Sequence, residues 1–148
     1  MAPEAPARVL IVAHRTAATP LLLNAVRARA GRSGCSFTLL VPRSYWDPDT
    51  EEAQLTLELA IPLLEQAAGG HVEGLVGDSE PFAAVRQAVE GFGFDEVIIS
   101  TLPARVSRWL RRDLPRRVRG FGLPVTVVTA QQSERTLSVA VESKNQAP

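Results

Sequence analysis

The sequence predicts one doubly wound α/β domain, a parallel sheet with helices on both faces. Three observations carry this. First, apolar β-branched runs recur without polar alternation, as in RVLIVA (8–13), the triplet Val97, Ile98 and Ile99, and Val125, Val127 and Val128 around Thr126. Such runs suit strands buried on both faces of a parallel sheet. Second, the runs are separated by segments with helical stripes and helix-start signals, so that strand and helix alternate along the chain. Third, 148 residues with 45% hydrophobic content form one domain able to bury a core without staples.

Residues 1–7, mostly Ala and Pro, read as a flexible start, and the domain is expected over 8–130. After the first strand, His14, Arg15 and Thr16 form a loop, and Thr19 before Pro20 opens a helix. Its stripe is Leu22, Leu23, Val26 and Ala30, with Asn24, Arg27 and Arg29 turned away. A second strand, 36–41, closes at Pro42. A surface loop with Tyr45 and Trp46 leads to Asp49, which with Glu52 makes a capping-box start. The helix that follows runs to about Ala68 with Leu55, Leu59 and Leu63 along one face, and Pro62 should kink or divide it near Glu58.

The third strand, 72–77, contains Gly74 and suits an edge. Asp78 or Ser79 then caps a helix whose Val85, Ala88, Val89 and Phe92 face inward. The fourth and fifth strands fall near 95–100 and 124–129. Between them a helix starts at Asp113, Leu114 and Pro115. Residues 131–148 form a polar tail in which Thr136–Val141 keeps strand propensity and could add an extra strand at a sheet edge or on a partner.

Charges balance at 16 against 16, but Arg105–Arg119 holds seven Arg and one Asp. That segment reads either as a solvated face or as a set of guanidinium forks for an anion. With Trp109 its one interleaved aromatic, it is a poor nucleic-acid surface. The single Cys35 forms no internal disulfide and reads as a small buried hydrophobe; no spacing suggests a metal site. The absence of an apolar leader or membrane-length run points to a soluble, cytoplasmic protein. Dinucleotide, P-loop and nucleophile-elbow motifs are absent, as are the paired acids of a receiver domain. No catalytic residue stands out.

The five-strand alternation, Gly77-Asp78 after the third strand, FDEVIIS, Arg116-Arg117-Val118 and the closing LPVTVV resemble the universal stress protein family over roughly residues 8–130. The resemblance implies strand order 3-2-1-4-5, commonly a homodimer, and in one branch an adenine nucleotide held by an Asp after the first strand and a glycine loop after the fourth. Here His14 stands in the place of that Asp, and Thr101–Asp113 contains no glycine. An Asp113 cap would occupy the amides a phosphate needs. The expectation is a binding or regulatory module that does not hold ATP in the family's manner. An Arg-based pocket for an adenine nucleotide or another small anion, and a purely structural interaction protein, are the alternatives. The candidate ligand-binding residues are Ala13, His14, Arg15 and Thr16 after the first strand, Val41 in the second, Ser100 and Thr101 in the fourth, and Arg105, Arg108, Arg112 and Asp113 beyond it. A homodimer is expected through the last strand, whose apolar edge leaves backbone groups unpaired.

Overall fold

The computed structural model describes residues 6–103 and 107–130. Arg105 and the tail strand at Thr136–Val141 lie outside the described residues. Five parallel strands, β1 (Ala7–Val12), β2 (Cys35–Pro42), β3 (Val72–Gly77), β4 (Glu96–Thr101) and β5 (Val125–Thr129), form one sheet in the order β3-β2-β1-β4-β5. The helices are α1 (Pro20–Arg32), α2 (Glu51–Ala68), α3 (Pro81–Phe92), the short α4 (Arg108–Arg111) and α5 (Leu114–Arg119). Among the described residues, no helix is long and apolar enough to cross a membrane.

The continuous apolar runs have the expected cause: central strands are covered on both sides. Val9 and Ile11 of β1 pack with Leu22 and Val26 of α1 and Leu64 of α2, while Leu10 and Val12 join Val85 of α3 and Leu114 and Val118 of α5. Gly74 lies in edge strand β3, as expected, and a Cβ there would meet only the side-chain ends of Ile61 and Leu57 on α2.

Several local expectations are corrected. Arg29 is not turned to water: it is buried, and its Nε donates to Glu96 Oε1 at 2.8 Å while Nη1 reaches the Ser33 carbonyl and hydroxyl. Its long stem lets a polar head leave the apolar stripe and find the carboxylate at the start of β4. Helix α2 is one uninterrupted helix through Pro62; Pro62 and Glu58, whose carbonyl loses its donor, both face solvent, where water can replace the bond. The Leu55, Leu59 and Leu63 stripe lies outward, at 54%, 66% and 43% exposure, because Ala53, Ala60, Leu64 and Ala67 form the inward face. Small residues there let α2 lie close to the sheet.

Caps also differ. Asp47, not Asp49, receives the first amides of α2, from Glu52 N at 3.1 Å and Ala53 N at 3.2 Å, because Thr50 turns left-handed at φ 63°. Glu80, rather than Asp78 or Ser79, caps α3 through Ala83 N at 2.7 Å. Phe92 is exposed at the last residue of that helix. Cys35 opens β2 only half-buried. At the amino edge, Arg8 N donates to Asp95 Oδ2 at 2.7 Å, Asp95 N returns to Arg8 O at 2.8 Å, and Arg8 Nη1 caps the Phe92 carbonyl at 2.6 Å.

Candidate functional site

At the carboxyl end of the sheet the loops after β1, β2, β3 and β4 enclose a cleft of about 520 Å³. This is the end at which open α/β sheets take ligands, and the volume is that of a small-molecule site.

The floor comes from β1 and β4. His14 and Thr16 meet Ser100 and Thr101 there. Thr16 Oγ1 and Ser100 Oγ lie 2.7 Å apart, both buried, and Ser100 Oγ also reaches the Thr16 carbonyl at 3.4 Å. This pair ties the two strand ends together across the centre of the cleft. Thr101 Oγ1 extends the tie toward Thr129 Oγ1 at 3.5 Å. Ala13 and Val41 are fully buried and do not line the cleft.

One wall is the β2–α2 loop with Arg43, Ser44, Tyr45 and Trp46. Glu52 organises it: Oε2 accepts the Trp46 indole N–H at 3.0 Å, and Oε1 stands 3.8 Å from His14 Nε2. His14 Nε2 is also 3.5 Å from Ser44 Oγ. Burial holds the His14 pKa below its ordinary 6.5, with Arg15 acting the same way against the opposing pull of Glu52 and Asp47. His14 is therefore a neutral hydrogen-bonding group at pH 7.

The opposite wall is the segment after β4. It is not the continuous loop the sequence suggests, because Ser107, buried, accepts from Leu110 N at 3.1 Å and caps the one-turn helix α4. That turn brings Arg108, Trp109 and, at its end, Arg112 to the cleft. Asp113 does not line it. Its backbone is left-handed at φ 57°, its side chain makes no cap bond, and the carboxylate lies 3.8 Å from Arg116. The expected competition between an Asp113 cap and a phosphate is thus absent.

The electrostatic balance favours an anion. Arg15, Arg43, Arg108 and Arg112 line the cleft, and none forms an ion pair among the described residues. Among the described residues the one lining carboxylate is Glu80, which is engaged by the Ala83 amide and by Arg117 at 3.7 Å. Of the expected residues, His14, Arg15, Thr16, Ser100, Thr101, Arg108 and Arg112 come together. Trp109, which the sequence singled out among the arginines, lines the site too, and Arg43, Ser44, Tyr45, Trp46 and Ser107 do so without having been named for it. Pro42 ending a central strand was the available signal for the second loop.

A doubly wound α/β domain with a basic cleft at the switch in strand order defines a class. Its structural relatives narrow that class. A universal stress protein in complex with cAMP superimposes with a TM-score of 0.62 at 14% identity, covering 86% of this chain and all of that one. A universal stress protein from Archaeoglobus fulgidus gives 0.57 at 14% identity, over 84% of this chain and 93% of that one. A hypothetical protein gives 0.56, also at 14% identity, over 82% and 95%. No protein-family profile and no curated protein matches the chain. The fold is that of the universal stress proteins, with the expected strand order 3-2-1-4-5.

Proposed function

We propose that the chain is a cytosolic binding or regulatory module of universal-stress-protein type, whose cleft takes a small phosphate-bearing ligand, an adenine nucleotide foremost, on arginine side chains in place of a glycine loop. The observation that carries this is the set of four cleft arginines without a carboxylate partner among the described residues. Guanidinium groups left unpaired around one concavity make charge-assisted, bidentate bonds to phosphate. The structure of a universal stress protein with cAMP supports an adenine nucleotide as the first ligand to try. We read the β5 edge as the seam of a homodimer, since β5 pairs only with β4 and its other edge is open among the described residues.

Calorimetric titration with ATP, before and after Arg108→Ala and Arg112→Ala together, tests the reading. Loss of two charge-assisted contacts should weaken binding by about 3–6 kcal/mol at low salt. Low-micromolar affinity, about −8 kcal/mol, retained in the double variant would refute arginine-based binding. Nucleotide released from freshly purified, denatured protein and identified by mass spectrometry would name the ligand.

A further inference from the structure

The chain has two tryptophans and one tyrosine, and all three line the one cleft that carries the unpaired arginines. They are not equivalent. Trp109 is partly buried against the core cluster that includes Leu114 and Val118, so part of its ring is already covered. Trp46 belongs to neither core cluster and is 54% exposed, and Tyr45 beside it is 74% exposed. An indole this exposed at the cleft has a face free for a second ring.

Trp46 is also held. Its indole N–H is bound to Glu52, and Tyr45 contacts it edge to face, with centroids 5.0 Å apart and planes at 81°. The loop that carries both rings ends at Thr50, a β-branched residue at φ 63°. That backbone is unfavourable for threonine and is fixed here by the Thr50 N to Asp47 O bond at 3.1 Å and by the Asp47 carboxylate on the first turn of α2. A pre-set indole at the lip of a basic cleft is the arrangement that stacks a base at little ordering cost.

The topology sets the length of what would fit. Strands β2 and β4 flank β1, so the loop that carries Trp46 and the segment that carries Arg108 and Arg112 leave strand ends about two strand spacings apart, roughly 10 Å, and line opposite walls of the cleft. A bare phosphate cannot reach from one wall to the other. A nucleotide can, because the sugar separates its base from its phosphates.

Building on the anion-binding reading, we infer that Trp46 is the stacking platform for the ligand's planar base, and that Glu52 positions it. The base lies on the indole at the β2–α2 lip, and the phosphates extend to Arg108 and Arg112. Glu52 does not touch the base. It fixes the ring through the indole N–H and thereby sets how much stacking is realised.

The test compares ATP with inorganic tripolyphosphate by calorimetry at one salt concentration. Stacking is worth about 1–3 kcal/mol per base, so ATP should bind roughly 5- to 150-fold tighter than tripolyphosphate. Trp46→Ala should collapse that ratio toward one, and Trp46→Phe should keep part of it. Glu52→Ala should lower the ratio and Glu52→Gln restore it, because the carboxamide oxygen still accepts the indole N–H. A merely structural Glu52 would change both affinities together and leave the ratio alone. In the Trp109→Phe protein, quenching of the remaining indole by ATP and not by tripolyphosphate gives a second readout. An ATP-to-tripolyphosphate ratio near one, or a ratio unaltered by Trp46→Ala, overturns the inference while tripolyphosphate binding through Arg108 and Arg112 stands. If neither probe binds, the anion-binding reading fails first and the stacking inference with it.

Discussion

Replacing Gly77 by alanine should destabilise the domain by about 1–2 kcal/mol, and the reason lies in what cannot move. Gly77 ends β3, and a Cβ there would lie 2.7 Å from Ala84 Cβ and 2.8 Å from Leu40 Cδ1. Carbon atoms rest at about 3.5–4.0 Å, so both contacts are too close by nearly an ångström. Leu40 can turn its methyl aside. Ala84 has no torsion to turn, so α3 itself must retreat from the sheet. Overpacking of this kind costs about 1–3 kcal/mol, and the reduced freedom of the unfolded chain returns about 0.4–1 kcal/mol. Gly74→Ala is the internal comparison: its Cβ meets Ile61 Cδ1 at 2.8 Å and Leu57 Cδ2 at 3.2 Å, the ends of flexible, half-buried side chains. The net change there should be within about 0.5 kcal/mol of zero. Ala84→Gly alone should cost about 1–2 kcal/mol through helix propensity and a lost methyl. Combined with Gly77→Ala it should cost less than the sum, by about 1 kcal/mol. Urea unfolding of the four proteins measures all of this. Wild-type stability for Gly77→Ala, or strict additivity with Ala84→Gly, would refute the steric argument.

Arg29→Met should lower stability by about 2–4 kcal/mol in urea unfolding, since it strands the mostly buried Glu96 carboxylate with only Arg32 at 3.9 Å. Ser107→Ala should cost about 1 kcal/mol of helix capping and, by loosening α4, weaken anion binding measured in the same calorimeter. In an NMR titration His14 should titrate below 6.5, chiefly through burial, and His71 above it, chiefly through its hydrogen bond to Glu73. The two act oppositely on stability. The lowered His14 favours the unfolded state as pH falls through 6.5, and the raised His71 adds stability below 6.5 that is lost as pH rises through its folded value. Full-length protein should scatter light as a dimer at tens of micromolar, roughly the range of a modest interface. A full-length monomer that dimerises only after truncation beyond Ala130 would mean that the tail covers the β5 edge of its own chain.

The sheet was legible because period and composition report burial directly. Val9 to Val12 and Val97 to Ile99 are apolar on both faces, and both faces are covered. Long polar side chains were read least well, since periodicity places a Cα and not the end of a side chain. Arg29 occupies a plausible outer position on α1, yet its guanidinium ends in the interior on Glu96, a partner 67 residues away. The leucines of α2 misled for the opposite reason. Alanines can make the tighter inward face, and a sequence pattern weights them less than leucines. The floor of the cleft was legible from the strand ends, whereas the β2–α2 wall was not. Its organising contact, Trp46 to Glu52, depends on the left-handed turn at Thr50, and threonine carries no signal for that conformation.

The position of β1 at the centre of the sheet also sets the order in which the chain can assemble. Its pairing with β2 joins Ala7 to Cys35, but its pairing with β4 must close the clasp between Arg8 and Asp95 across 87 residues. The longer closure costs only about 1 kcal/mol more in chain entropy. During synthesis at 5–20 residues per second, however, the β4 side of β1 stays open for roughly 5–20 s after Arg8 is made. A three-stranded β3-β2-β1 half can form only in the last part of that interval, about 1–4 s between the synthesis of Gly77 and of Asp95, presenting the apolar edge of β1 to any neighbouring chain. Pairing with β4 closes that edge, and the Arg8 and Asp95 clasp sits at the start of the ladder, so its loss should slow this closure and reduce the yield of folded protein more than the stability of what folds.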